Sequence, residues 1–159
     1  MKTQKFALLI AIFTLSVLSA CKKDDDAKPA SKADLLANGA GKKWKTTSII
    51  EKYTGGGRTV EDDVFSDLDE CDKDDLTILF ANKKAESREG ATKCNTNDSD
   101  LIAEGTWTLN SDETLLTVVA GTSALNYTIK ELTASKLVVE YKETDSGITY
   151  TYTETYAAQ

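Results

Sequence analysis

The chain has 159 residues and a formal charge of −7, with 28% charged and 40% hydrophobic residues, one proline and no histidine. That is one domain's length, enough to bury a core. The acidic balance repels phosphate backbones, so nucleic acid is a poor partner. The lack of histidine removes the usual general base near neutral pH and the commonest zinc ligand, and no phosphate-cradling glycine motif is present.

Met1 to Lys5 carries two lysines, and Phe6 to Leu18 is apolar apart from Thr14 and Ser16. As a helix this stretch spans about 20 Å, short of the roughly 30 Å of a bilayer core, so it reads as the apolar region of a signal peptide. The following Leu18-Ser19-Ala20-Cys21 resembles the bacterial lipobox, in which the cysteine is acylated and becomes the new N-terminus. Several acyl chains, at about 0.8 kcal/mol per buried methylene, hold such a protein firmly on a membrane. Cleavage removes Lys2 and Lys5 from the 19 basic residues, leaving 17 against 26 acidic ones, or −9. Lys22-Lys23 followed by Asp24-Asp25-Asp26 resembles the surface-export signal of Bacteroidetes lipoproteins. The expected location is therefore the outer membrane, lipid-anchored and displayed on the cell surface, with an inward-facing position as the alternative. Either compartment permits disulfides. With Cys21 carrying lipid, Cys71 and Cys94 remain as an even pair. Joining them closes a loop of about 24 residues, worth roughly 3 kcal/mol in the loop-entropy picture; two free thiols are the alternative.

Three regions follow: a signal peptide over 1–20, a lipidated cysteine and flexible tether over 21–34, and a folded domain over 35–159. Ser31-Lys32-Ala33-Asp34 has the form of a capping box with Asp in place of Glu, predicting one or two helical turns that end at Gly39. Trp44 to Tyr53 is rich in β-branched and aromatic residues and reads as a first strand, ended by Gly55-Gly56-Gly57. Residues 59–75 show no alternation, and a short helix or ordered loop over one mouth is expected there. Leu76 to Ala81 is a strand, and a polar stretch runs on to Cys94. In the C-terminal half the period is two. Ala103, Gly105, Trp107 and Leu109 share one face; Leu115 to Ala120 forms the next strand; Leu125, Tyr127 and Ile129 follow, then Leu137, Val139 and Tyr141. After the Asp145-Ser146-Gly147 turn, Ile148, Tyr150, Tyr152 and Tyr156 oppose a row of threonines.

Short turns between consecutive alternating strands mean antiparallel neighbours paired in sequence order. The expected fold is all-β: an up-and-down barrel of about eight strands behind a short N-terminal helix, since no long crossover of the kind a sandwich needs is visible. The chain resembles the lipocalin-like domain of Bacteroidetes lipoproteins over about residues 35–159. The carriers are Gly41-Lys42-Lys43-Trp44 after a short helix, Cys71-Asp72-Lys73-Asp74-Asp75 before Leu76-Thr77-Ile78-Leu79-Phe80, the returning Cys94, and Gly105-Thr106-Trp107-Thr108-Leu109. The resemblance implies a small barrel with an interior cavity and names no ligand.

Nine acidic residues fall between Glu61 and Asp75 against Lys73 alone. Asp72, Asp74 and Asp75 are a weak calcium candidate, because no EF-hand spacing is present; a solvated surface loop is the plainer reading. Crowded exposed acids do not make a glycosidase pair, and no nucleophile has a visible base, so no enzyme and no cofactor are expected. The inward aromatics Trp44, Phe80, Trp107, Tyr127, Tyr141, Tyr150 and Tyr152 either fill the barrel or line a pocket with polar tips. Two functions from different classes follow. One is a monomeric carrier of a small apolar or amphipathic ligand, with an open cavity framed by Trp107 and Tyr150. The other is a filled barrel whose loops, 54–75 and 83–101, meet a partner protein or glycan.

Overall fold

The computed structural model describes residues 30–159. The signal peptide, Cys21 and the lysine-aspartate segment after it lie outside the described residues. Helix α1, Lys32–Leu36, is capped by Ser31: its hydroxyl accepts from the Asp34 amide at 3.2 Å while the Asp34 carboxylate accepts from the Ser31 amide at 3.1 Å. The capping box thus forms with aspartate in the glutamate position. Five residues do not hold a helix alone in water. This one is held by Leu36, which is fully buried, and by a hydrogen bond from Trp44 Nε1 to the Leu36 carbonyl at 2.9 Å. It ends at Leu36, three residues short of Gly39, because Ala37 turns extended and buries its own methyl. The ordered fold thus takes in Ser31 and Lys32, ahead of position 35.

Nine strands follow among the described residues: β1 (Lys42–Gly55), β2 (Arg58–Asp63), β3 (Leu76–Leu79), β4 (Lys84–Arg88), β5 (Leu101–Leu109), β6 (Leu115–Ala120), β7 (Ser123–Leu132), β8 (Lys136–Asp145) and β9 (Ile148–Ala158). All pair antiparallel with their sequence neighbours from β3 to β9, and β1 pairs with both β3 and β9. The result is a closed eight-stranded barrel of β1 and β3–β9. Closure leaves no long open edge. The remaining strand, β2, folds back on β1 as a hairpin, from Gly55 opposite Arg58 to Ile50 opposite Asp63. It takes the upper half of the β1 edge whose lower half, Lys42 to Lys45, belongs to β3.

Two strands correct the sequence reading. Residues 58–63 form β2 although Arg-Thr-Val-Glu-Asp-Asp has only Val60 off the solvent; an add-on hairpin with both faces wet leaves no alternation to read. The polar stretch before Cys94 contains β4, whose Ala85 faces the core while Lys84, Glu86 and Arg88 form an ion-paired outer face. Segments 54–75 and 83–101 are therefore not simply loops. Between β2 and β3 the chain makes a 3-10 turn, Val64–Asp67, that packs on β1, then helix α2, Glu70–Lys73.

A bulge between Thr46 and Ser48 decides the interior. Trp44 and Thr46 face in below it, opposite Ala158 and Tyr156. Above it the phase changes, so Ile49, Glu51 and Tyr53 face in opposite Glu154, Tyr152 and Tyr150. The core cluster sits at the α1 end: Leu36, Ala37, Trp44, Leu79, Ala85, Trp107, Leu116, Leu137 and Val139. At that base Gly41 adopts φ +89° and lies against Phe80 and Ile78, where a Cβ would come within 2.6 Å of the Phe80 ring. At the opposite end Ser146 and Gly147, both at positive φ, turn β8 into β9 as the sequence suggests. Among the described residues no helix is long and apolar enough to cross a membrane.

Candidate functional site

Antiparallel strands with alternating faces place one row of side chains per strand inside the barrel. At the base those rows are large and apolar and meet α1. Higher up, on β3 to β6, they shrink to Thr77, Ala85, Ser87, Ala103, Gly105, Val118 and Ala120. Small side chains on that wall leave a cavity of about 140 Å³, near the ~150 Å³ that holds a benzene-sized molecule in a dry core. Its floor and far wall are Trp44, Leu79, Leu116, Leu137 and Val139, with Tyr127 and Tyr156 beside them and Glu86 and Glu104 also bordering it. Ala103 lines it and is also exposed, which puts the mouth toward the end away from α1.

The wall formed by β7, β8, β9 and β1 is different. Tyr127 meets Tyr141 edge-on at 5.3 Å between ring centres, and Tyr141 stacks on Tyr152 at 4.9 Å. Near the rim Tyr53 packs on Tyr150 at 5.2 Å. Behind these rings lies Glu154, only 9% exposed, which accepts a hydrogen bond from the Tyr156 hydroxyl. Burial raises the Glu154 carboxyl above the usual range, and the Tyr156 bond opposes that rise in part. Burial, with the Glu154 charge added, drives Tyr156 well above an ordinary phenol and raises Tyr127 and Tyr141 as well. Tyr152 is pushed up to about 12, first by its hydrogen bond to Glu51 and then by burial. These phenols stay protonated at any physiological pH and act as donors.

The predicted aromatics thus divide. Trp44 and Tyr127 line the cavity. Tyr141 and Tyr152 form the wall beside it, and Tyr150 stands at the rim. Trp107 faces in but is sealed in the base, 1% exposed, donating to the Phe80 carbonyl at 3.0 Å with Lys83 over its ring. It therefore does not frame the mouth. Phe80 is not inward at all: Leu79 takes the interior position, and Phe80 packs outside the base on Gly41. Two residues of the site escape the aromatic reading. Tyr156 stands on the inward face in the sequence reading without a binding role, and Glu154, which strict alternation from Tyr152 to Tyr156 puts inside, is not an aromatic and draws no attention there.

Cys71 and Cys94 are joined in a disulfide, with Cα atoms 5.2 Å apart. It pins the 89–100 segment to α2. Asp74 completes that attachment, its Oδ2 accepting from the Ala91 and Thr92 amides and the Thr92 hydroxyl, each at 2.9 Å. Burial alone would raise the Asp74 carboxyl; those Thr92 and Ala91 donors outweigh it and hold it below the ordinary range. Asp75 accepts from the Gly90 amide at 3.2 Å, and burial, with Asp72 and Asp74 nearby, raises it. Asp74 and Asp75 therefore serve first as loop ties. Asp72 lies beside Cys71 and Cys94, but both sulfurs are consumed in the disulfide and no thiolate remains to bind a soft metal there.

A family model described as a lipocalin-like domain matches residues 40–139, from the start of β1 to the middle of β8. No curated protein matches the chain.

Proposed function

Because this chain belongs to the lipocalin-like domain family, we propose that it is a carrier: a lipid-anchored outer-membrane protein of Bacteroidetes type, displayed on the cell surface, that holds one small apolar or amphipathic molecule. The observation that supports this reading is the cavity of about 140 Å³, apolar on its floor and bordered by Tyr127 and Tyr156. Few convergent polar groups on an apolar hollow are the make-up of a small-molecule site. The anchor rests on Leu18-Ser19-Ala20-Cys21, and surface display on the charged segment that follows. We read the protein as a monomer without catalytic activity or nucleic-acid affinity; lipocalin-like domains are generally non-enzymatic, and the mature charge is strongly negative.

Native mass spectrometry of the intact protein extracted from its membranes tests the carrier reading. A stoichiometric adduct is expected, and Val118→Trp, which fills the cavity, removes it. No adduct, with the fold confirmed, counts against the reading. Cys21→Ala is expected to release the protein from the membrane fraction; retention there would sink the lipid anchor.

One observation favours a second reading. The 89–100 segment is tied down by a disulfide and the Asp74 network, and an ordered rim of that kind suits capture of a partner protein or glycan. Pull-down with the rim segment replaced by a short glycine linker, in a chain that still folds, separates this from ligand carriage.

A further inference from the structure

Among the described residues two carboxylates are buried, Glu86 at 7% and Glu154 at 9% exposure. Glu86 lies on the outer face of β4 between two cations, with Lys84 at 2.9 Å and Arg88 at 2.5 Å. They outweigh its burial and hold its carboxyl below the ordinary range, the Arg88 hydrogen bond contributing most. Glu154 is buried in the interior with a tyrosine hydroxyl and no cation. Leaving a buried acid without a counter-charge is costly, and the usual remedies are pairing or protonation.

Among the described residues none supplies the missing charge. On the inward rows above the base the titratable groups are Glu51 and Tyr53 on β1, Tyr127 on β7, Tyr141 and Glu143 on β8, and Tyr150, Tyr152, Glu154 and Tyr156 on β9. Inward rows from β3 to β6 carry none; Glu86 and Glu104 of the outer row also border the cavity, and both are paired with Lys84, Glu86 with Arg88 as well. Two lysines that touch aromatic rings are committed at the base, Lys42 over Trp44 at 4.3 Å and Lys83, in the exposed turn before β4, over Trp107 at 3.6 Å. The cavity ends against this wall at Tyr127 and Tyr156, the second of which is bonded to Glu154.

We propose that the ligand of the barrel is an organic cation: an amine or alkylated ammonium group on a benzene-sized apolar body, the body resting on Leu116, Val118 and Val139 and the charge directed at Tyr127, Tyr156 and Glu154. This deepens the carrier reading and rests on it. Aromatic faces attract a desolvated cation, and a buried carboxylate completes its neutralisation. An anionic ligand of the same shape would meet three inward glutamates and no base. The small side chains of β3 to β6 account for size, and the tyrosine and glutamate wall accounts for charge.

The test uses three small probes of one shape, titrated into the full-length protein in detergent micelles and followed by two-dimensional NMR: benzylamine, cationic at pH 7; benzyl alcohol, neutral; and benzoate, anionic. Benzylamine is expected to bind about tenfold more tightly than benzyl alcohol, with shifts centred on Tyr127, Val139 and Tyr156, and benzoate more weakly than either. In Glu154→Gln, of nearly the same shape, the preference for the amine is expected to vanish while benzyl alcohol binds as before. If that variant fails to fold, Glu51→Gln combined with Glu143→Gln, both near the rim, is expected to reduce the preference. Benzyl alcohol or benzoate binding the cavity as tightly as benzylamine overturns the cation and leaves the carrier standing. No shift at the cavity with any probe overturns both.

Discussion

The two ends of the barrel interior are built on opposite principles. At the base every indole is sealed and every polar tip is used: Trp44 donates to Leu36, Trp107 donates to Phe80, and both are 1% exposed. In the upper half the inward groups are phenols and carboxylates, half-buried, with a cavity beside them and an acid without a cation. The base is packed for stability. The upper half gives up stability to keep a shaped polar hollow, the common trade at a binding site. Closure of the sheet alone does not fill a barrel; the side-chain volumes on each wall decide where it is solid.

The largest effect expected from breaking this contrast is at the base. Trp44→Ala or Trp107→Ala removes a fully buried indole and should cost about 3–5 kcal/mol, or prevent folding, as read by thermal or urea denaturation. Tyr150→Ala at the rim should cost far less, because its ring is only half-buried. An equal loss at both ends would erase the distinction. Next comes the disulfide. Cys71→Ser with Cys94→Ser should cost roughly 3 kcal/mol, with hydrogen exchange rising in 89–100 and α2 while the amides of β1 and β9 near α1 keep their protection. A loss of protection spread evenly over the barrel would show that the rim and base are one cooperative unit.

Ser31→Ala should cost about 1 kcal/mol by removing the α1 cap, with exchange rising in Leu35 and Leu36 only. The smallest effect carries the opposite sign. The Glu154 carboxyl is raised from an unfolded value near 4.5, so the folded chain holds that proton to higher pH than the unfolded chain does. Stability therefore falls as pH rises through the window between those values, and the penalty is absent below it. Glu154→Gln should raise the melting temperature by a small amount at neutral pH, with the gain disappearing toward pH 4. A gain that persists unchanged at pH 4 would mean that ionisation of Glu154 is not what destabilises the upper half.

Much of this organisation is legible residue by residue. Alternation places Gly105 and Trp107, Leu137 and Val139, and Tyr150 to Tyr156 on the inward face, because a strand's side-chain period is a local property. Ser31 with Asp34 marks the helix start for the same reason, its bonds spanning three residues. Phe80 misleads because it follows Leu79 in an apolar run where no alternation tells which of the two faces in. The strands β2 and β4 stay hidden because their residues are mostly polar: one is wet on both faces and the other carries an ion-paired outer row.

The class of fold, the up-and-down order of the C-terminal strands and the helix cap are readable from short-range pattern in the sequence, whereas the pairing of Cys71 with Cys94 is an expectation there, with free thiols as the alternative, and becomes a fact in the structure. The tertiary structure alone decided the rest. Closure of β1 on β9, with a bulge at Thr46/Ser48, sets the register that turns Glu51 inward and puts Ile49 across from Glu154. The cavity exists because small side chains on β3 to β6 face large ones across the barrel, and that opposition joins residues far apart in the chain. Local pattern puts Glu154 on the inward face but carries no information about which distant row stands opposite, so the cavity beside that wall and the lack of a cation near the acid become visible only when the sheet is closed.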